Sequence, residues 1–472
     1  MAPLLILLLA ATPAPTGLAS RARGHYEAGL REEKAGALQA AEVAYREALR
    51  LAPRMARAHD RLGFVLGQLG RTQEALDAFR RAAEADPKLF DAQYHLGATL
   101  WWAGDPASAL IPLRRAVALD PRHAEARYYL GVCLTRQGQL GPGVAELREA
   151  VRLNPRIALA HLQLGLALQQ MGDVAGAVDA LRRAAELDPR SRDIRNSLGV
   201  ALMLKGDADE AIATLRSLVA DDPADAEARQ NLGSALLQKG DLEGAVRVYQ
   251  ALVAERPDAL AFYNLGLALK QRDDFPASEK ALRQAMALDE TLPDPPYTLG
   301  VVLWQTNQLD EAAQMLRVAI ERKPNYAEAH YLLGTILRSK GDLAGSAEEF
   351  RQTIRDQPDS AEAHLSLGQV LKRQGDSTGA AAALAEAERI NKKKVDAQAA
   401  TFAVDLGKRR LAESDLAGAV ESLREAVRLA PEMADAHYQL GLALRRQGTR
   451  KEAQTHLAAA QRLAPWLLIP PE

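Results

Sequence analysis

The chain has a single cysteine, Cys133, among 472 residues. That excludes an intrachain disulfide and a cysteine-based metal cluster. Charge of one sign is not in excess: 59 Lys and Arg stand against 61 Asp and Glu. Nothing here supplies the basic field that phosphate recognition needs, so nucleic acid is not an expected partner. Aromatics make up only 5%. Ala and Leu carry the apolar content, a mixture that favours close-packed helices over sheets. Motifs of catalysis are also missing. There is no phosphate loop, no His-Glu-x-x-His and no Gly-x-Ser-x-Gly elbow. No enzyme activity, cofactor or metal is expected.

Long apolar runs are scarce too. Residues 3–11 form an uncharged apolar segment, too short to span a bilayer. Gly17, Leu18 and Ala19 before Ser20 suit a signal peptidase, although residues 1–20 contain no Lys or Arg. Residues 1–19 are therefore expected to be a signal peptide, with export to the periplasm or exterior and no integral membrane span in the mature chain. If the segment is a mis-chosen start or a retained apolar arm, the chain is cytoplasmic.

What the sequence does have is a register. Glycine recurs at Gly29, Gly63, Gly97, Gly131, Gly165, Gly199, Gly233, Gly266, Gly300, Gly334, Gly368, Gly407 and Gly441, and ten of the twelve intervals are 34 residues. Leu precedes it in every unit but the first, and proline follows 24 residues later in eleven units, from Pro53 to Pro465. Around Gly165 the apolar residues repeat at three and four, the helical period. Seven residues after the signature glycine stands Gly in ten units, and Asp273, Asn307 or Ser414 in the others. These residues suit a left-handed helix end. Asp173 can cap a second helix from Val174 to Leu187, which Pro189 stops. Twelve after the signature glycine the side chain is always small, as at Ala177, Ser278 and Ser346, so that two helices can approach closely. Four later comes a bulky residue such as Tyr45, Phe79, Leu113 or Phe350, expected to fill the groove against the next unit.

This pattern resembles the tetratricopeptide repeat family over about residues 22–467. The resemblance implies an all-α solenoid of about thirteen helix-turn-helix units winding into a right-handed superhelix. It also implies a protein- or peptide-binding role on a concave face built from the first helices. The expected organisation is repeats 1–11 over residues 20–394, an insertion at 395–399, repeats 12–13 over 400–467 and a tail at 468–472. At the insertion, where Lys392, Lys393 and Lys394 replace the proline turn, either the helix runs on or the stack changes phase. Pro293, Pro295 and Pro296 are expected to lengthen another turn. Trp466 and the apolar tail either fold back over the last hairpin or offer a self-association contact.

In this family the ligand side of the first helix carries the residues three before the signature glycine and one, four and five after it. The first of these is tyrosine in seven units, including Tyr94, Tyr128, Tyr263, Tyr297 and Tyr331. Trp101 and Trp304 stand four after the glycine, with Trp102 beside Trp101, and Gln169, Gln170, Lys270 and Arg338 flank the apolar stripe. Rigid aromatic surface suits segment capture; the alternative is that the tyrosines pack between adjacent units. No unit pairs the Lys and Asn that resemble the carboxylate clamp of co-chaperones. Only Asn231 and Asn264 resemble the asparagine ladder of O-linked N-acetylglucosamine transferases, and the transferase domain is absent. Six histidines, His25, His59, His161, His330, His364 and His437, share one slot four before the glycine, which reads as packing. The expected function is a binding scaffold or adaptor. The alternative is a non-catalytic targeting or regulatory subunit of an enzyme or envelope-assembly complex, for example one associated with a glycosyltransferase.

Overall fold

A computed structural model of the chain describes residues 16–464, 467 and 469. The segment 1–15, and the tail beyond 464 except Leu467 and Ile469, lie outside the described residues. The expectations for a signal sequence and for a folded-back or self-associating tail therefore fall largely there. The helix Thr16–Lys34 runs through the residues around the expected cleavage point. The described residues hold twenty-five helices and no strand, and no helix among them is long and apolar enough to cross a membrane. The chain divides into two compact units, Met1–Lys239 and Gly240–Glu472. Each is a succession of helical hairpins, numbered here 1 to 13 by their signature glycines. Thirteen hairpins give twenty-five helices because one long helix serves two of them.

The turn inside each hairpin follows from local chemistry. All thirteen residues seven after the signature glycine have positive φ: ten glycines, with Asp273 at 60°, Asn307 at 61° and Ser414 at 65°. The next helix is then capped by an aspartate in seven hairpins. Asp173, for example, accepts from the Gly176 N–H at 2.9 Å, and Asp342 from Gly345 at 2.9 Å.

The helices of a hairpin cross where the signature glycine stands. A methyl group on Gly63 would lie 2.7 Å from the Phe79 ring, and one on Gly97 2.5 Å from Leu113 Cγ. The bulky residue sixteen after the glycine thus lies over that glycine within its own hairpin. The glycine's missing side chain makes the room, and the same residue also packs against the next unit, as expected: Phe79 lies 5.4 Å from the His95 ring, and Leu113 shares a core with Leu130 and Leu134. The small position beside it is equally tight. The Ser278 and Ser346 hydroxyls each donate to the carbonyl of the signature glycine opposite, Gly266 and Gly334, at 2.7 Å.

The histidine slot ties seven hairpins to the turn before them. Nε2 of His59, His161, His330, His364 and His437 lies 2.9–3.2 Å from the carbonyl of Pro53, Pro155, Pro324, Pro358 and Pro431. Gln93 and Arg127, in the same slot, donate to Pro87 and Pro121. A proline cannot donate, but its carbonyl still needs a partner, and this slot supplies one.

Two irregular places resolve simply. At the insertion the helix runs on: Ser377–Ala412 is one helix of 36 residues. The lysine run there forms helix readily and contains no proline to stop it. The helix buries Ala380, Ala383 and Ala387 in its first part, and Ala400, Ala403, Val404 and Gly407 in its last. The turn at the prolines after Glu290 is longer, as expected: residues 289–293 separate Phe275–Leu288 from Asp294–Gln305, one more than the four between most hairpins. Pro295 and Pro296 are buried in the first turn of the helix Asp294–Gln305, where their missing N–H groups have no helical partner to lose.

Candidate functional site

The first unit gathers aromatic side chains on the first helices of hairpins 3 and 4, Phe90–Trp102 and Ala124–Arg136. Tyr94 stacks on Phe90 with ring centres 5.7 Å apart and planes 7° from parallel, and lies 6.2 Å from Tyr129. Trp101 meets Trp102 edge-on at 4.6 Å and Tyr129 at 5.5 Å. Trp102, 68% exposed, donates its indole N–H to the Tyr129 hydroxyl at 3.1 Å. Burial pushes the Tyr94 phenol well above its ordinary value. The rings of this patch pack on one another, with Trp102 left at its outer side.

Tyr128 is not part of that face. It is 7% exposed and packs in the core with Val132, Leu147 and Leu164, and burial pushes its phenol up to about 12. The neighbouring Tyr129 takes the surface position, because one step along a helix turns the side chain by about 100°. Gln169 is half-buried with its amide oxygen unpaired. Gln170 lines a shallow groove of about 560 Å³ with Arg136, Gln163 and Leu166.

In the second unit, three of the expected residues converge. Tyr297, Trp304 and Tyr331 line one groove of about 430 Å³ together with Val301, Ala327, Glu328, Leu332, Thr353, Gln357, Ser360 and Glu362. The first helices Asp294–Gln305 and Ala327–Ser339 supply the apolar floor. Thr353 and Gln357 come from the end of hairpin 10, and Ser360 and Glu362 from the start of hairpin 11. Trp304 is 41% exposed and has no aromatic partner among the described residues. Tyr297 packs against Tyr326 at 4.8 Å, whose hydroxyl donates to Asp294 at 2.8 Å. Burial raises the Tyr297 phenol.

Lys270 and Arg338 do not line the groove. Arg338 reaches the Gln369 side-chain oxygen at 3.1 Å and lies over the Phe350 ring at 5.9 Å. Tyr263 packs against the same core as Tyr297 and hydrogen-bonds Thr298.

The tyrosine register also has a packing duty. The residue three before one signature glycine repeatedly meets the residue two before the next. Asp60 lies 2.8 Å from His95, Asn231 donates to Asn196 at 2.8 Å, and the hydroxyls of Tyr331 and Ser366 are 3.4 Å apart. Tyr94 with Tyr129 and Tyr263 with Thr298 follow the same rule.

Sequence reasoning missed Phe90, Tyr129, Glu328 and Glu362. Acidic residues six before the glycine do recur, as at Glu125, Asp294, Glu328 and Glu362, but helix solvation was explanation enough for them. The titratable groups singled out earlier are absorbed by packing. Cys133 is buried and its thiol is pushed up to about 12 by burial. No group of three or more His, Cys, Asp or Glu is placed to hold a metal among the described residues.

Comparison with known proteins agrees with this architecture. Tetratricopeptide repeat models match residues 56–89, 94–156, 162–226 and 407–448. The Cilia and flagella-associated protein 70 C-terminal domain, itself a tetratricopeptide model, matches residues 195–406. The chain belongs to the tetratricopeptide repeat family. Among solved structures, YrrB, described as a TPR protein with an unusual peptide-binding site, is similar at 26% identity. That match covers 38% of this chain and 95% of YrrB, with a TM-score of 0.35. MamA from Desulfovibrio magneticus RS-1 is similar at 27% identity over 36% of this chain and 96% of its own, with a TM-score of 0.33. Yeast Tom70 is similar at 14% identity over 94% of this chain and 98% of its own, with a TM-score of 0.40. No curated protein matches by sequence. In tetratricopeptide terms, the groove lies on the first helices of repeats 9 and 10 and is closed at one end by repeat 11.

Proposed function

We propose that this tetratricopeptide protein is a non-catalytic scaffold or adaptor that binds a protein or peptide segment on its first-helix face, with the groove of hairpins 9 to 11 as the principal seat. One observation carries the reading. Three aromatic residues, Tyr297, Trp304 and Tyr331, spaced by the repeat along two helices, converge on one open groove. An aromatic ring that is left partly exposed beside an apolar floor is the kind of anchor that dominates recognition energies. The polar rim of Thr353, Gln357 and Ser360 offers hydrogen bonds that fix the orientation of a bound segment. A non-catalytic role is supported by five of the histidines bonding proline carbonyls and by the burial of Cys133.

The test is a pull-down from the protein's own cells with the full chain and with a Trp304→Ala, Tyr331→Ala double variant. The double variant is expected to lose at least one partner that the unaltered chain retains, with its helical circular dichroism unchanged. An identical partner set for both chains contradicts the reading.

A further inference from the structure

We infer that the groove of hairpins 9 to 11 selects a segment that places an arginine or lysine beside an aliphatic or aromatic anchor; this rests on the binding role proposed above. The floor, made by Tyr297, Val301, Trp304 and Tyr331, is apolar, and the charged side chains in the lining are the carboxylates of Glu328 and Glu362. Glu328 accepts from the Gln357 amide at 3.2 Å. Neither carboxylate forms an ion pair among the described residues.

The same register, six residues before the signature glycine, is acidic elsewhere: Asp91 and Asp294 form no ion pair among the described residues, whereas Glu227 and Asp435 meet cations. Glu227 lies 3.4 Å from Arg192, and Asp435 lies 2.7 Å from Lys408. An acidic first turn is favoured by the helix dipole; what sets Glu328 and Glu362 apart is that both line one apolar groove. The basic side chains nearest in sequence are engaged elsewhere. Arg322 donates to the Leu292 carbonyl at 2.8 Å, Lys323 lies 4.4 Å from the Tyr326 ring centre, and Arg338 reaches Gln369.

A segment lying on this floor removes water from the carboxylates at the rim. A cation on the segment compensates that loss, a neutral residue does not, and a carboxylate adds repulsion. Discrimination then comes as much from rejecting acidic segments as from attracting basic ones.

The test uses three fluorescein-labelled peptides of equal length in which leucines flank arginine, serine or glutamate, titrated into the full chain and followed by anisotropy. The arginine peptide is expected to bind at least about fivefold tighter than the glutamate peptide, and this preference is expected to shrink at high salt. In a Glu328→Gln, Glu362→Gln double variant the preference is expected to fall below about twofold, while Trp304→Ala weakens all three peptides. Equal binding of the arginine and glutamate peptides, or a preference that survives the double variant, overturns the inference. If all three bind equally and Trp304→Ala weakens them, the charge selection fails while the binding role stands. If none binds but the pull-down loses partners on the Trp304→Ala change, this inference fails and the binding role again stands. Loss of both readouts rejects both.

Discussion

Tyr94 and Tyr297 hold the same register position, three before a signature glycine, and Trp101 and Trp304 hold the same position four after it. Their surroundings differ. Tyr94 is stacked on Phe90, and Trp101 is wedged between Trp102 and Tyr129. Around Tyr297 and Trp304 there is no second tryptophan and no tyrosine in the place of Tyr129, where Leu332 stands instead. The first arrangement packs its rings on one another, with Trp102 exposed; the second lines a groove. A repeat position therefore does not define a site by itself. The neighbours contributed by the adjacent hairpin decide whether aromatic surface is spent on packing or left open.

The largest expected difference is in stability. Trp101→Ala is expected to cost about 2–3 kcal/mol, toward the lower end for a large aromatic truncation because the ring is half-buried. Trp304→Ala is expected to cost less than about 1 kcal/mol, as for an exposed residue. Urea unfolding of the two variants measures both, and equal losses would erase the distinction between self-packed patch and open groove.

A smaller effect concerns the hairpin beneath the groove and depends on pH. Burial alone would depress the His330 ring. The Glu349 carboxylate, 2.6 Å from Nδ1, together with the Pro324 carbonyl outweighs burial and raises it above 6.5. A raised value means that this stabilisation is fully present below pH 6.5 and is lost as pH rises through the folded value. At His59 and His161 burial wins and the ring is depressed. Those hairpins lose stability as pH falls below 6.5. Glu349→Gln is expected to cost about 1–2 kcal/mol at low pH and to turn hairpin 10 to the same sign as hairpins 2 and 5. Amide hydrogen exchange of Ala327–Asp356 on either side of pH 6.5 reads this, and an unchanged pH dependence would contradict the assignment. The smallest effect is that of Tyr331→Phe. Its contact with Ser366 is long, 3.4 Å, so a loss under about 0.5 kcal/mol is expected, with binding kept by the ring.

Much of this was legible in the residues. The glycine register, the left-handed residues at Asp273, Asn307 and Ser414, the aspartate caps and the histidine slot follow from one-dimensional spacing and from what each residue's backbone tolerates. The bulky residue at Phe79 or Leu113 meets the next unit as expected, but its contact with its own signature glycine was not legible, because spacing along the chain does not show that one side chain meets two surfaces. Tyr128 and Tyr129 were indistinguishable by type; only the rotation of the helix separates core from face. Glu328 and Glu362 look like every other acidic first turn until the structure places both at one apolar groove.

The account depends on a bound segment lying on the first helices at the groove. Hydrogen exchange of the full chain, with and without whichever of the three leucine peptides binds most tightly, measures this directly. Protection is expected across Ala327–Ser339 and at residues 357–362, with none added along the outer helix Leu309–Arg322. Protection confined to second helices such as Leu309–Arg322 would contradict it.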